Sequence, residues 1–286
     1  MAWQVVVRVV VAIAISALAA FHGLRKRSLS RGGALAAFCV GSVSMGCGYR
    51  FGILLLLFYF TSSKMTHYRE DQKAKMDAST KEGGQRSAIQ VLSVSLIACG
   101  LAITYVSQVG EDRPIDGTPL PTMLWGAYIA HYACCAADTW ASELGVLSKS
   151  SPVLITRCKT VPPGTNGGIS LLGTAAAAAG GTFIGVLFYL YDLLFLPAVA
   201  STPQWPAVFL GLVSGLIGCM LDSILGATVQ STFYCTRTNR IVPQPHIPSA
   251  DVVLISGYDI LTNEQVNVVS VALTTLLGAY IAPAFF

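Results

Sequence analysis

Residues 131–170 read HYACCAADTWASELGVLSKSSPVLITRCKTVPPGTNGGIS, and how this stretch is taken decides how the chain folds. An apolar run passes straight into Asp138, Thr139, Ser142 and Glu143. A basic loop with Lys149, Arg157 and Lys159 follows, and a Pro-Pro-Gly-Thr-Asn-Gly-Gly turn then opens onto a second apolar run. Acids and hydroxyls at the end of one apolar helix, and glycines at the start of the next, describe two membrane helices meeting at a polar surface.

Counting the two runs that flank that stretch, apolar runs fall at about 5–21, 32–60, 89–106, 121–137, 169–191, 207–230 and 265–286. Only 11% of the 286 residues are charged and 53% are hydrophobic, whereas a soluble domain carries roughly a quarter charged residues. At 1.5 Å of rise per residue against a hydrocarbon core of about 30 Å, most of these runs are single crossings. The expected fold is therefore all-α, a polytopic membrane helix bundle forming one integral membrane domain over residues 1–286.

The 32–60 run is too long for one crossing and holds Gly46, Gly48 and Arg50 near its middle. An Arg at the centre of a lone span costs several kcal/mol. The connection at 22–31 carries Arg25, Lys26, Arg27 and Arg31 without an acid, and 61–88 is also rich in Lys and Arg. Placing both on the cytoplasmic side requires an even number of crossings between them, so the run is split into a short hairpin turning at 46–50. This gives about eight spans, within a range of six to eight, and gathers the polar segments 61–88, 138–168 and 231–264 on the cytoplasmic face. Trp125, Trp140 and Trp205 are expected as interfacial anchors, and Asp192 as a marker of the far interface.

Several functional classes are disfavoured. The formal charge of +4 is concentrated in a few loops and reports orientation in a lipid bilayer, so no nucleic-acid partner is expected. The eight cysteines form no CxxC pair and no Cys/His cluster, so neither a disulfide scaffold nor a zinc site is expected. The run at 5–21 reads as a retained helix, and no plastid-type leader is evident before it. That favours the endoplasmic reticulum or another endomembrane, with the plastid envelope as the other compartment considered.

Asp138 and Ser142 share one helical face, and Thr139 and Glu143 the adjacent one. Carboxylates with hydroxyls suit Mg²⁺, which prefers hard oxygen ligands and often bridges substrate phosphates; helix capping is the structural alternative. Asp222 lies in an apolar run with no basic neighbour, followed by Ser223 and Gln230. Such an acid should face the bundle interior, for function or for a helix-to-helix hydrogen bond. Gly164, Gly167 and Gly168 would let backbone N–H groups approach an anion, with Thr165 or Asn166 capping the next helix or holding phosphate and Lys159 and Arg157 adding charge. No Gly-Lys-Ser/Thr follows, so this is not a Walker A loop. Lys81, Gly83, Gly84 and Arg86 repeat the idea before another span, with Ser63 and Lys64 upstream. Asn267 and Asn263, four apart, enter the last run on one face.

The motifs ADTWASELG at 137–145, KTVPPGTNGGIS at 159–170 and DSILGATVQ at 222–230, with SSKMTHYREDQKAK at 62–75 and KEGG at 81–84, resemble a known membrane family. It is the family of transmembrane protein 19 of animals and the phytyl-phosphate kinase of plants and cyanobacteria, and the resemblance runs from about residue 29 to 267. It implies a kinase that converts an isoprenyl monophosphate to the diphosphate at the expense of a nucleoside triphosphate, CTP by analogy or else ATP, with Mg²⁺. Asp138, Glu143, Lys159, Asn166 and Asp222 are the motif positions carried over, the three acids as metal ligands. Where the family often has Gly-Gly-Arg-Asn this chain has Gly-Gly-Gln-Arg, which shifts the anion-binding role onto Arg86. The rival expectations are a transporter of an anionic lipid or metabolite and a lipid phosphatase, for which His131 is the nearest histidine to the central acids. Oligomeric state and lipid chain length are left open.

Overall fold

The computed structural model describes residues 2–76, 84–196, 202–243 and 250–286. Among these residues eight long helices form the bundle: α1 (Ala2–Arg25), α2 (Arg31–Cys47), α3 (Tyr49–His67), α5 (Ala88–Gln108), α6 (Pro119–Gly145), α7 (Leu171–Phe195), α8 (Pro206–Val229) and α9 (Asn263–Ile281). A single turn, α4 (Glu70–Lys73), follows α3. Of the eight, α1, α5, α7, α8 and α9 are long and apolar enough to cross a membrane on their own length and composition. The hairpin expected at 46–50 is present, with Gly48 in extended backbone (φ 177°) separating α2 from α3.

Helix α6 is the axis of the bundle. Every residue from Trp125 to Ala137 is buried, and α6 packs against α3, α5, α7, α8 and α9. Such contacts need small residues, because without a hydrophobic drive between helices in lipid the backbones must approach closely. A methyl group on Gly181 of α7 would lie 2.5 Å from the Gly211 carbonyl of α8, and one on Gly126 of α6 would lie 2.7 Å from the Gly278 carbonyl of α9. Helix α1 is peripheral and packs on α2 and α3.

Two small antiparallel sheets lie in segments expected to be loops. The first has the order β2–β1–β3, from β1 (Val153–Leu154), β2 (Lys159–Thr160) and β3 (Gly168–Ile169). The second has the order β5–β4–β6, from β4 (Thr232–Cys235), β5 (Arg240–Val242) and β6 (Val252–Ser256). The polar segments interlock at one end of the bundle: Ile241 donates its N–H to the Met76 carbonyl at 3.0 Å, and the Asn166 N–H donates to Thr232 Oγ1 at 3.2 Å.

At the other end, Asp192 is not a solitary interfacial acid. It is buried and accepts from Arg50 Nη1 at 2.9 Å, while Asp112 accepts from Arg50 Nη2 at 2.6 Å and from Nε at 3.1 Å. The guanidinium lies 4.4 Å from the Trp125 ring centre and 4.5 Å from that of Phe188. Trp125 is therefore a core residue, stacked on Phe51 at 4.4 Å, instead of an anchor. Trp205 is 53% exposed, as an anchor should be.

Candidate functional site

Helix α6 continues to Gly145, so Asp138, Thr139, Ser142 and Glu143 occupy its last two turns. Across from it, α8 presents Asp222, and the Asp138 and Asp222 carboxyl groups stand in hydrogen-bond contact. Two carboxyls this close hold a shared proton or a cation between them. Helix α9 supports the pair: Ser270 Oγ donates to Asp222 Oδ2 at 2.9 Å, and the Asn267 amide, with its nitrogen turned to that oxygen, donates at 3.2 Å. Among the described residues neither carboxyl has an ion-pair partner.

Glu143 does not join them as a third ligand. It pairs with Lys73 of α4 at 2.5 Å, and Lys73 Nζ also donates to the Met65 and Thr66 carbonyls at 3.0 and 2.5 Å. The expected three-carboxylate set becomes a facing pair plus a separate ion pair, and no group of three or more His, Cys, Asp or Glu gathers to hold a metal among the described residues. Glu143 follows Asp138 by five positions, which turns it roughly 140° around a helix of 3.6 residues per turn. The remaining pair still suits Mg²⁺, which commonly uses one or two protein carboxylates and completes its shell with water and substrate phosphate.

Both acid groups open into one cavity of about 790 Å³, which Thr139, Ser142, Ser223, Gln230 and Asn267 also line. The turn at 164–168 forms part of its wall, but by docking onto α8. Gly164 (φ +86°) and Gly167 (φ +76°) take backbone conformations that side chains disfavour, and a methyl group on Gly167 would sit 2.4 Å from Ala227 Cβ and 2.5 Å from the Ser223 carbonyl. Several groups expected to meet an anion are spent on the turn itself. The Gly168 N–H donates to the Thr165 carbonyl at 2.9 Å, and the Thr165 hydroxyl to the Pro162 carbonyl at 2.7 Å. Helix α7 is capped by Ser170, which accepts from the Gly173 N–H at 3.1 Å, instead of by Thr165 or Asn166.

The expected cations divide in the same way. Lys64, Arg157 and Lys159 are exposed and do not line the cavity. Lys81 and Gly83 lie outside the described residues, while Gly84 lines the cavity. Among the described residues Arg86 is the one basic side chain in the lining, and it donates from Nη1 to Ser63 Oγ at 2.9 Å. Burial pulls the Arg86 guanidinium below its usual value, against the fields of Tyr59 and Glu143, yet a guanidinium keeps its charge at any physiological pH. His131 is buried in α6, with Nε2 on the Val94 carbonyl at 2.6 Å and Nδ1 on Thr275 Oγ1 at 3.2 Å.

Sequence reasoning missed Lys73 and Ser270. Ser270 follows Asn267 by three positions, so the spacing that singled out Asn263 and Asn267 extends to it. Lys73 has no such signal, being one basic residue among several in a mixed-charge flank.

A bundle of long apolar helices with a carboxylate pair at one polar end is an integral multi-pass membrane protein. The chain belongs to the family described as Integral membrane protein DUF92, whose model matches residues 14–275. It is similar to Protein PGR of Arabidopsis thaliana, 43% identical over 94% of both chains. It is also 30% identical to a membrane protein of Synechocystis, covering 68% of this chain and 69% of that one. Protein VTE6, chloroplastic, also of Arabidopsis thaliana, is 26% identical over 87% of this chain and 64% of its own length. No solved structure matches the chain.

Proposed function

We propose that the protein is a lipid-monophosphate kinase, converting an isoprenyl phosphate to its diphosphate with a nucleoside triphosphate, CTP by analogy, as donor. The observation that carries this is the single cavity in which the Asp138–Asp222 pair and Arg86 face the same space as an apolar wall. The motif resemblance to the phytyl-phosphate kinase supports the choice of acceptor.

Asp138 and Asp222 would hold Mg²⁺, which supplies charge neutralisation on the phosphates when bound. Ser270 and Asn267 fix the orientation of Asp222 by donating to it. Arg86, held by Ser63, binds a phosphate oxygen with directed N–H groups. The attacking oxygen of a lipid phosphate is already ionised near neutral pH, so no side chain has to remove a proton, and positioning with electrostatic stabilisation is the main work. The commitment of both His131 ring nitrogens within the core weighs against a phosphatase that uses it as nucleophile. The proposed compartment is the endoplasmic reticulum or another endomembrane; import of a tagged chain into chloroplasts would move it to the plastid envelope.

The test is transfer of label from γ-labelled CTP or ATP to phytyl, farnesyl and geranylgeranyl phosphate by purified protein in nanodiscs with Mg²⁺. Label in a lipid diphosphate, abolished in Asp138→Asn and Asp222→Asn proteins that remain folded, is the expected result. Absence of transfer to every lipid phosphate, with a working control kinase, would overturn the proposal.

A further inference from the structure

The cavity has two chemically different walls. The acids Asp138, Glu143 and Asp222 come from α6 and α8, whereas another part of the lining is built by α1, α2, α3 and the start of α5. That part of the lining is mostly apolar, with Ser16, Ser93 and Ser95 set among its alkyl groups; Arg86 bridges to Leu29 and hydrogen-bonds to Ser63, and the Tyr59 hydroxyl meets Ser28 Oγ at 2.8 Å.

The apolar packing explains why space exists there. Val40, Leu55 and Phe58 belong to the main core of the bundle, while Ala20, Leu29 and Ala34, with Ala37, Tyr59 and Val91 packed on them, form a separate cluster. All of these except Ala34 line the cavity, so it separates two apolar clusters that close packing would otherwise merge. Water is a poor filler for a space lined by alkyl groups. An apolar chain fits it: Ala19 of α1 and Ala37 of α2 line it, beside the close α1–α2 contact where a methyl group on Gly41 would lie 2.7 Å from Ser16 Oγ.

Resting on the kinase reading above, we infer that this wall is the acceptor subsite: Arg86 takes the lipid monophosphate, and the chamber between α1, α2 and α3 takes the hydrocarbon tail. The Ala19 and Ala37 positions then limit tail length, and the donor nucleotide lies against the carboxylate wall. Arg86 is on this view a residue of acceptor affinity and not of donor affinity.

Two measurements test it. A geranylgeranyl monophosphate bearing a diazirine at the distal end of its tail is irradiated with the wild-type protein in nanodiscs, and labelled peptides are mapped. Label on α1 near Ala19 or on α2 near Ala37 is expected, and label confined to lipid-facing helix surfaces overturns the chamber. This arm needs no phosphoryl transfer, so wild-type protein that is labelled there yet inactive would refute the kinase reading and leave the subsite standing.

In the kinetic arm, Ala19→Phe and Ala37→Phe raise KM for geranylgeranyl phosphate about tenfold or more and leave geranyl phosphate close to wild type, the scale expected when a pocket loses room for methylenes. Arg86→Gln raises KM for the lipid phosphate while KM for the nucleotide stays within about twofold. Equal losses for short and long tails in the Phe variants would overturn the length assignment. A rise confined to nucleotide KM in Arg86→Gln would place Arg86 on the donor.

Discussion

Replacing Arg50 with Met keeps a long side chain at the far end of the bundle and removes a charge. Arg50 is fully buried and serves Asp112, Asp192 and the Arg113 carbonyl, the last from Nη2 at 3.1 Å, so the substitution takes the ion-pair partner from two acids at once. Breaking a buried pair by deleting one partner destabilises by about 3–5 kcal/mol, because the remaining charge is left without compensation. At a few degrees per kcal/mol for a chain of this size, the melting temperature should fall on the order of 10 °C. Thermal unfolding in detergent near pH 7, followed by a thiol-reactive dye or by circular dichroism, measures this.

The pH dependence gives the result a second signature. Burial raises the Asp112 carboxyl above its ordinary value, and the Arg50 charge pulls part of that rise back. A carboxyl raised in the folded state contributes stability that is full below the ordinary carboxylate range and is lost as pH rises through the folded value. Deleting Arg50 raises it further, so the variant should lose most near neutral pH and close on wild type as pH falls toward about 4. Arg50→Met combined with Asp112→Asn and Asp192→Asn should recover much of the loss. A melting temperature within about 2 °C of wild type across the whole range would mean that the Arg50 cluster is hydrated and exerts no such hold.

Three further outcomes follow from the site. Gly167→Ala forces a methyl group into α8 at a positive φ and should cost about 1–3 kcal/mol while lowering label transfer, as read by melting and by the kinase assay. Lys73→Met leaves Glu143 unpaired and should destabilise by about 1–3 kcal/mol; Lys73→Met with Glu143→Gln should restore part of that, which a double-mutant cycle of melting temperatures measures. Ser270→Ala removes the hydroxyl that orients Asp222 and should raise the Mg²⁺ concentration for half-maximal activity about tenfold or more, as read by metal titration of activity.

The helical bundle and the division at Gly48 were legible because they depend on local quantities: apolar run length, and basic flanks that cannot lie on opposite faces across an odd number of crossings. Asp138 and Asp222 were legible for a related reason, since an acid in an apolar helix needs a partner. Which partner each acid takes was not legible. Asp222 meets Asp138, Ser270 and Asn267, whereas Glu143 turns away to Lys73, seventy positions upstream. The Gly-rich turn shows the same limit. Its glycines announced a close approach, and the approach proved to be to α8 as well as to the cavity.

From sequence alone come the membrane, the number of long helices and the clustering of polar segments, because each is set by composition and by the length of chain needed to cross hydrocarbon. Only the tertiary structure decides that Arg50 is neutralised by Asp112 and Asp192, that Lys64, Arg157 and Lys159 stay outside the cavity, and that Arg86 faces into it. Side-chain charge is a property of the residue. What that charge faces depends on how α6 is rotated among its neighbours, and that rotation is fixed by close contacts between helices far apart in the chain, such as Gly126 against Gly278.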